Sequence, residues 1–199
     1  MSIEKHIQNM LRVKPSKLSP MAGRLLIAEP FMFDMYFRRT VVLLIDHSEE
    51  GSFGVVLNKP TFIKIKDVVD SFPDVDYPLY SGGPVDINNV YFLHRLSKII
   101  SDGSPVKDDV SWGGNKKEII QILESNFFDD SQLRVFMGYS SWEPGQLDTE
   151  LKQKAWVVAD FNPEIMFKTE PTKLWHTIVE SMGKEYAFWK NLPVNPALN

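Results

Sequence analysis

The sequence predicts a single-domain α+β fold. Short apolar runs containing β-branched residues occur in pairs, segments with helical spacing lie between them, and strands and helices do not alternate regularly. A doubly wound parallel sheet requires that alternation, so the pattern favours α+β. The 199 residues contain no repeat, low-complexity tract or long linker, and they are enough for one domain with a sizeable core.

Six runs have the length and composition of strands. They are residues 24–28, 40–45, 53–57, 90–94, 133–139 and 155–159. The polar segment 46–51 ends in glycine, which favours a hairpin between the second and third runs. Pro60 lacks the amide that a sheet needs, so the third strand ends before it. We expect turns at residues 81–84 and 140–141.

Four later segments show helical spacing. They are residues 63–72, a helix that begins at Asn115, residues 147–154, and a last helix from residue 169 to Gly183. The residues expected to face the core are Ile65, Val68, Val69, Phe72, Ile119, Ile120, Leu123, Phe127, Leu174, Trp175, Ile178, Val179 and Met182.

We expect three parts: an N-terminal helix and connector over residues 1–20, a domain over 21–190 and a loose tail over 191–199. Ile3, Ile7, Met10 and Leu11 fall on one stripe of a helix. The first residues have no uninterrupted apolar region and no small-residue cleavage pattern, so they do not indicate a signal peptide. We expect this amphipathic helix to dock on the domain. Binding to a membrane surface or a partner is the alternative.

The charge of the chain is unevenly distributed. Residues 1–24 carry five basic side chains and one acidic one, and because the whole chain is at -4, the rest carries -8. An acidic domain disfavours direct nucleic-acid binding, which needs a cationic face. No run approaches the roughly 18 apolar residues of a membrane span, so we expect a cytoplasmic protein. The absence of cysteine excludes disulfides, thiol catalysis and thiolate metal sites.

Known catalytic and cofactor motifs are missing. There is no Walker loop, no G-x-G-x-x-G and no G-x-S-x-G, and the four histidines lack metal-binding spacing, so we expect neither metal nor cofactor. Gly82 and Gly83 could present amides to an anion, although a structural turn is the commoner use of such a pair. His47 and His94 each lie at the end of a predicted strand, where an acid or base could be placed.

The densest cluster of functional residue types is 138–150. It places two glycines, a proline, two aromatics and three acids in a turn that opens a helix. Trp142 offers a stacking face, and Gln146, which follows Gly145, offers hydrogen-bonding groups beside the positive end of that helix. The segment is therefore a candidate pocket wall, and a tight loop with an aromatic plug is the structural alternative.

This segment resembles the signature of the YqgE/AlgH family of bacterial proteins. The matching residues there are Gly138, Tyr139, Trp142, Pro144, Gly145, Gln146, Leu147 and Glu150. The likeness continues in order over residues 22–189. It includes Gly23, Pro30, Asp34, Phe37, His47, Gly51, Gly54, Asn58, Lys59, Pro60, Gly82, Gly83, Pro84, Val85, His94, Trp156, Phe167 and Trp175. The chain departs from the family pattern at Met35, where proline is common, and at Ser140 and Ser141.

The resemblance implies a bifurcated, mostly antiparallel sheet that curls into a barrel-like core with helices outside. It implies no established reaction. Some members are labelled transcriptional regulators because of a link to alginate synthesis, but this sequence shows no helix-turn-helix with a basic recognition helix.

Three classes of function remain open. The favoured one is a binding or regulatory protein that acts through an unknown small ligand or protein partner. The residues predicted to bind the ligand are His47, Asn58, Gly82, Gly83, His94, Trp142, Gly145 and Gln146. The first alternative is an enzyme on a small polar or anionic substrate, with His47 or His94 as acid or base, Asn58 orienting the substrate, and the Gly82 and Gly83 amides binding an anion. The second is a transcriptional regulator that binds nucleic acid. Convergence of the predicted residues on one cleft would favour a ligand or a substrate. Residues that lie apart and mostly buried would instead indicate a structural signature and disfavour both.

Overall fold

The computed structural model describes residues 17–125 and 127–193. The predicted N-terminal helix, and residues 194–199 of the predicted loose tail, lie outside the described residues.

The described chain forms nine strands and five α-helices. The strands are β1 (Arg24–Ala28), β2 (Val41–Ser48), β3 (Gly51–Val56), β4 (Leu79–Ser81), β5 (Val85–His94), β6 (Gly103–Lys107), β7 (Val110–Gly113), β8 (Leu133–Trp142) and β9 (Trp156–Asp160). The helices are α1 (Ile65–Val68), α2 (Lys116–Ser125), α3 (Gln146–Lys152), α4 (Pro163–Lys168) and α5 (Pro171–Ser181), and a 3-10 helix follows at Ala187–Asn191.

The strands form one sheet in the order β6-β7-β5-β8-β3-β2-β1-β9. All neighbours along this path are antiparallel, and β4 adds to β8 in parallel. The sheet divides at β8, because β4 pairs with residues 135–137 of this strand and β3 with residues 140–142, while β5 pairs along residues 133–139. The α+β class and the mostly antiparallel sheet are therefore confirmed.

The expected barrel-like closure is not confirmed. The sheet curls far enough that a Cβ on Gly23, just before β1, would lie 3.0 Å from the Val106 carbonyl oxygen of β6. Both edges of β1 are already used by the ladders to β2 and β9, so β6 finds no free edge there. Within the described residues the sheet remains open, with β6 and β9 at its ends.

The hairpin predicted from segment 46–51 is confirmed, because β2 and β3 pair on either side of Glu49 and Glu50, although residues 46–48 already belong to β2. The turn predicted at residues 140–141 is wrong, because these residues lie within β8. The polar side chains of these segments hydrogen-bond within the sheet, as when the Ser140 hydroxyl donates to the Gly82 carbonyl over 3.2 Å. Strands β6 and β7 and helix α4 were not predicted. The first predicted helix shrinks to the single turn of α1, since Val69 is already extended, with a φ of -137°.

Two faces of β1 to β3 carry different parts of the core, as the two-residue period of a strand requires. Leu25 and Ile27 face a cluster beneath α4, α5 and the 3-10 helix. Leu26 and Ala28 face a second cluster, which also includes Met32 and the indoles of the site described below. A third cluster packs α1 and α2 against β4, β5 and β8.

The predicted core positions on the helices are buried or half-buried, with one exception. Phe127 is 86% exposed, so its predicted place in the core is wrong. Helix α2 ends two residues earlier, where the Ser125 hydroxyl accepts the Phe127 amide, and the helical spacing no longer applies to Phe127.

Candidate functional site

Two indoles meet where β8 ends and β9 begins. Trp142 and Trp156 pack edge to face, with ring centroids 6.0 Å apart. Both indole N–H groups donate to one oxygen, Oε2 of Glu150 on α3, over 2.9 Å from Trp142 and 2.7 Å from Trp156. This shared acceptor fixes the two rings relative to α3.

Gln146, at the start of α3, holds the Glu150 carboxylate in place through a hydrogen bond. The side-chain Nε2 of Gln146 donates to Oε1 of Glu150 over 2.9 Å, and its Oε1 accepts from the Glu143 backbone N–H over 3.0 Å. Gly145 has a φ of 74°, a left-handed conformation that glycine adopts without strain, and it turns the chain from the strand into the helix. The residue types that stood out in the sequence therefore build one hydrogen-bonded corner.

A loop between β1 and β2 forms the wall opposite this corner. Phe37 packs edge to face on Trp156 at 5.6 Å, and Met32 is buried in the same cluster. Phe33, in contrast, is 98% exposed at the rim. Between the loop, the corner and the segment 153–156 lies a cavity of about 650 Å³, which we call the indole cavity.

Three carboxylates and one lysine line the indole cavity: Glu29, Asp34, Glu150 and Lys154. Oε2 of Glu29 accepts the Phe31 amide over 3.0 Å, and Oδ1 of Asp34 accepts the Tyr36 amide over 2.8 Å. Burial raises the pKa of Glu29, and the Phe31 hydrogen bond opposes that shift. Across residues 17–125 and 127–193, none of the three carboxylates forms an ion pair.

Four of the eight residues predicted to bind a ligand lie around the start of α3. Trp142 and Gln146 line the indole cavity. His47 and Gly145 line a neighbouring cavity of about 430 Å³, where Nδ1 of His47 is 2.7 Å from the Ser52 hydroxyl of the paired strand.

The other four lie elsewhere, with Asn58, Gly82 and Gly83 in loops between strands and His94 at the end of β5. The Asn58 side chain accepts from the Val41 amide over 2.9 Å and donates to the Arg39 carbonyl over 3.0 Å, which holds the start of β2. Gly82 already uses its amide, which donates to the Met137 carbonyl over 2.9 Å. At Gly83 a Cβ would lie 2.0 Å from the Tyr139 carbonyl oxygen, so the backbones touch there.

His94 is fully buried at the end of β5. Its Nδ1 accepts the Leu96 amide over 3.2 Å, while its Nε2 has no hydrogen-bond partner in the described part of the chain. Burial of the ring lowers its pKa. His94 therefore does not join His47, and the eight predicted residues do not converge on one cleft.

Sequence reasoning missed the loop that completes the indole cavity, including Glu29, Met32 and Phe33. The available signal was the aromatic run over residues 31–37, directly after a predicted strand. The sequence gives Trp156 and Glu150 no role in a site beyond their places in the family signature, a predicted strand and the acids of segment 138–150. Among the described residues, no group of three or more potential ligands is arranged to hold a metal ion, and no helix is long and apolar enough to cross a membrane.

A family model described as AlgH-like matches residues 25–187. The chain belongs to the AlgH-like family. It is 36% identical over 178 residues to a UPF0301 protein of Chlorobium chlorochromatii, covering 89% of this chain and 95% of the relative. With a UPF0301 protein of Cytophaga hutchinsonii the identity is 37%, covering 89% and 98%. The resemblance stated from the sequence is thereby confirmed.

Two solved structures share the fold of this AlgH-like protein. The solution structure of AlgH from Pseudomonas aeruginosa has a TM-score of 0.69 at 24% identity, covering 89% of this chain and 98% of that one. The crystal structure of protein DIP2367 from Corynebacterium diphtheriae has a TM-score of 0.68 at 23% identity, covering 87% and 93%. At this identity the likeness supports the fold alone.

Proposed function

We propose that this AlgH-like protein binds a small ligand in the indole cavity, and that the ligand has an apolar or aromatic body and a cationic group. The observation that carries the proposal is an aromatic floor beneath carboxylates that form no ion pair within the described residues. The volume of about 650 Å³ is in the range of small-molecule sites. The indoles of Trp142 and Trp156 are almost fully buried, so the aromatic face open to a stacking ring or a cation is that of Phe33 at the rim.

The carboxylates divide into two roles. Both oxygens of Glu150 already accept hydrogen bonds from the indoles and Gln146, so this residue positions the floor. Glu29 and Asp34 each accept one backbone hydrogen bond at the opposite wall. A carboxylate has about four lone-pair positions, so both retain capacity for a cationic group.

A titration with phenethylammonium tests this proposal, with phenethyl alcohol and 3-phenylpropionate as neutral and anionic controls of similar shape. We expect saturable shifts of the Trp142 and Trp156 indole N–H signals, with affinity falling from the cation to the alcohol to the anion. Equal affinity for the three probes, or shifts confined to other tryptophans, would contradict the proposal.

A matched pair of variants locates the charge. Asp34→Asn should weaken phenethylammonium binding about fivefold, the equivalent of about 1 kcal/mol, because a partly exposed ion pair is lost. Asp160→Asn removes an exposed carboxylate at the far end of β9, which does not line the indole cavity, and should leave the affinity unchanged.

A further inference from the structure

Four half-buried aromatic side chains meet on one face of the sheet. They are Phe53 of β3, Tyr91 of β5, Trp112 of β7 and Tyr139 of β8. Tyr139 and Trp142 are three residues apart on β8, so their side chains point to opposite faces of the strand. A cavity of about 420 Å³ lies among the four rings, and among the described residues it shares only Ser141 with the indole cavity.

The curl of the sheet brings the four rings into a closed circuit. Tyr91 stacks on Trp112 at 5.7 Å between ring centroids and meets Tyr139 edge to face at 5.4 Å. Phe53 closes the circuit, at 6.1 Å from Tyr139 and 6.2 Å from Trp112. In a flat sheet β3 and β7 would be three strand spacings apart, about 14 Å. The rings therefore wall a concave site, which we call the aromatic cage.

An ionised carboxylate stands beside the aromatic cage. The pairing of β5 with β8 shifts register near the start of β5, so residues 86–89 bulge from the ladder. In this bulge the exposed Asp86 carboxylate accepts hydrogen bonds from the Tyr91 hydroxyl and, over 2.8 Å, from the Asn89 side chain. These bonds lower the pKa of Asp86, so it is charged at neutral pH. Within residues 17–125 and 127–193, Asp86 forms no ion pair and no cationic side chain lines the cage.

The chemistry of the lining favours a cation without N–H groups. The faces of aromatic rings attract cations, and Asp86 adds negative charge. A primary ammonium group would have to replace three hydrogen bonds to water, and the lining supplied by the described residues offers hydroxyl oxygens alone as side-chain acceptors. A quaternary ammonium group has no hydrogen to donate, so it exchanges water for ring faces without that cost.

We propose that the aromatic cage is a second binding site, and that it takes the quaternary ammonium group of a small, choline-like ligand. The methyl groups contact the rings, and Asp86 attracts the charge from the rim. The volume of the cage is within the range of small-molecule sites. The site is separate from the indole cavity and does not depend on the function proposed for that cavity.

A titration with choline tests the site. The controls are 3,3-dimethylbutan-1-ol, which has the same shape without the charge, and ethanolamine, which has the charge on a primary ammonium group. We expect a saturable shift of the Trp112 indole N–H signal, with choline binding about fivefold more tightly than either control. Equal affinity for choline and the neutral alcohol would overturn the proposal, as would shifts confined to Trp142 and Trp156, which would place choline in the indole cavity.

A matched pair of aspartate variants tests the role of the charge. Asp86→Asn removes the charge and retains an acceptor for the Tyr91 hydroxyl, so it should weaken choline binding about threefold. Asp108→Asn is the control, since Asp108 is also exposed, has a φ of 52° against 53° for Asp86, and does not line the cage. Equal affinities of these two variants would show that Asp86 does not attract the ligand.

A second pair tests the rings, with Trp112 again as the reporter. Phe53→Leu keeps an apolar side chain but removes one aromatic face, and it should weaken choline binding about fivefold. Phe127→Leu, at a ring that is 86% exposed elsewhere, should leave the affinity unchanged. Unchanged Trp142 and Trp156 signals show that Phe53→Leu is folded. Wild-type affinity of the folded Phe53→Leu protein would overturn the cage, and if that variant fails to fold, the aspartate pair decides.

Discussion

At the residue scale, Glu150 is the acceptor on which the corner of the site depends. Its carboxylate takes two indole N–H groups and one amide N–H. Donors buried without an acceptor cost about 1–3 kcal/mol each, so we expect Glu150→Ala to lower the free energy of unfolding by about 2–4 kcal/mol in urea titrations. Asp148→Ala, an exposed acid on the same helix, is the control and should change it by less than about 0.5 kcal/mol. Equal effects of the two variants would show that Glu150 is not needed as an acceptor.

His94 gives the fold a predictable pH dependence. Burial lowers its pKa in the folded protein below the ordinary value of 6.5. As the pH falls below about 6.5, His94 binds a proton in the unfolded chain but not in the folded one. The free energy of unfolding therefore decreases until the pH reaches the pKa of His94 in the folded protein. We expect His94→Gln to flatten this decrease between pH 7.5 and 5, measured by urea unfolding. The slope against pH is compared, because replacing a buried ring also changes the free energy of unfolding at every pH. An unchanged slope would show that the folded protein accommodates the protonated ring.

At the element scale, Arg134 joins helix α4 to the sheet. This buried side chain on β8 donates to the Met166 carbonyl over 2.8 Å and to the Leu57 carbonyl over 3.3 Å. We expect Arg134→Met to cost about 2–4 kcal/mol and to expose α4 amides to hydrogen exchange, since it leaves buried carbonyls without donors.

Arg95 provides the matched comparison, because it tethers the same helix at the surface. It pairs with Glu164 of α4 over 2.6 Å and with Asp109 over 2.7 Å. Arg95→Met should cost less than about 1 kcal/mol, because exposed ion pairs contribute little. The interpretation would be wrong if Arg95→Met destabilised α4 as much as Arg134→Met.

The elements that the sequence predicted share a physical basis. Apolar runs such as residues 24–28 and 155–159 became strands because burial on both faces selects them. Strand β6 contains Pro105 and polar residues, so its sequence has no strand pattern. It forms because it pairs with β7. The site shows the same division. The corner around Trp142 was predictable from a local cluster of residue types, whereas the opposing loop is placed by the tertiary contact of Phe37 with Trp156.

At the scale of the whole molecule, the division of the sheet at β8 depends on backbone contact at Gly83. A Cβ there would lie 2.0 Å from the Tyr139 carbonyl oxygen, and neither backbone can move without disturbing a ladder. We therefore expect Gly83→Ala to lower the free energy of unfolding by more than about 3 kcal/mol, or to prevent folding.

Gly145→Ala is the control for glycine replacement in general. A Cβ at Gly145 meets nothing within 4 Å, so only its positive φ is penalised, at about 1 kcal/mol. The comparison is made by thermal and urea unfolding of the two variants. A Gly83→Ala protein as stable as Gly145→Ala would mean that the two backbones separate readily.

The pairing of β1 with β9 has a consequence during synthesis. Arg24 lies opposite Asp160, and Leu25 opposite Ala159. Strand β1 is synthesised early, but its edge toward β9 stays unpaired until most of the chain has been made. Such long-range pairing slows folding, and an apolar strand with an empty edge is prone to aggregate. A nascent chain leaving the ribosome thus carries β1 half-paired until about residue 160, the interval in which chaperones would be most needed.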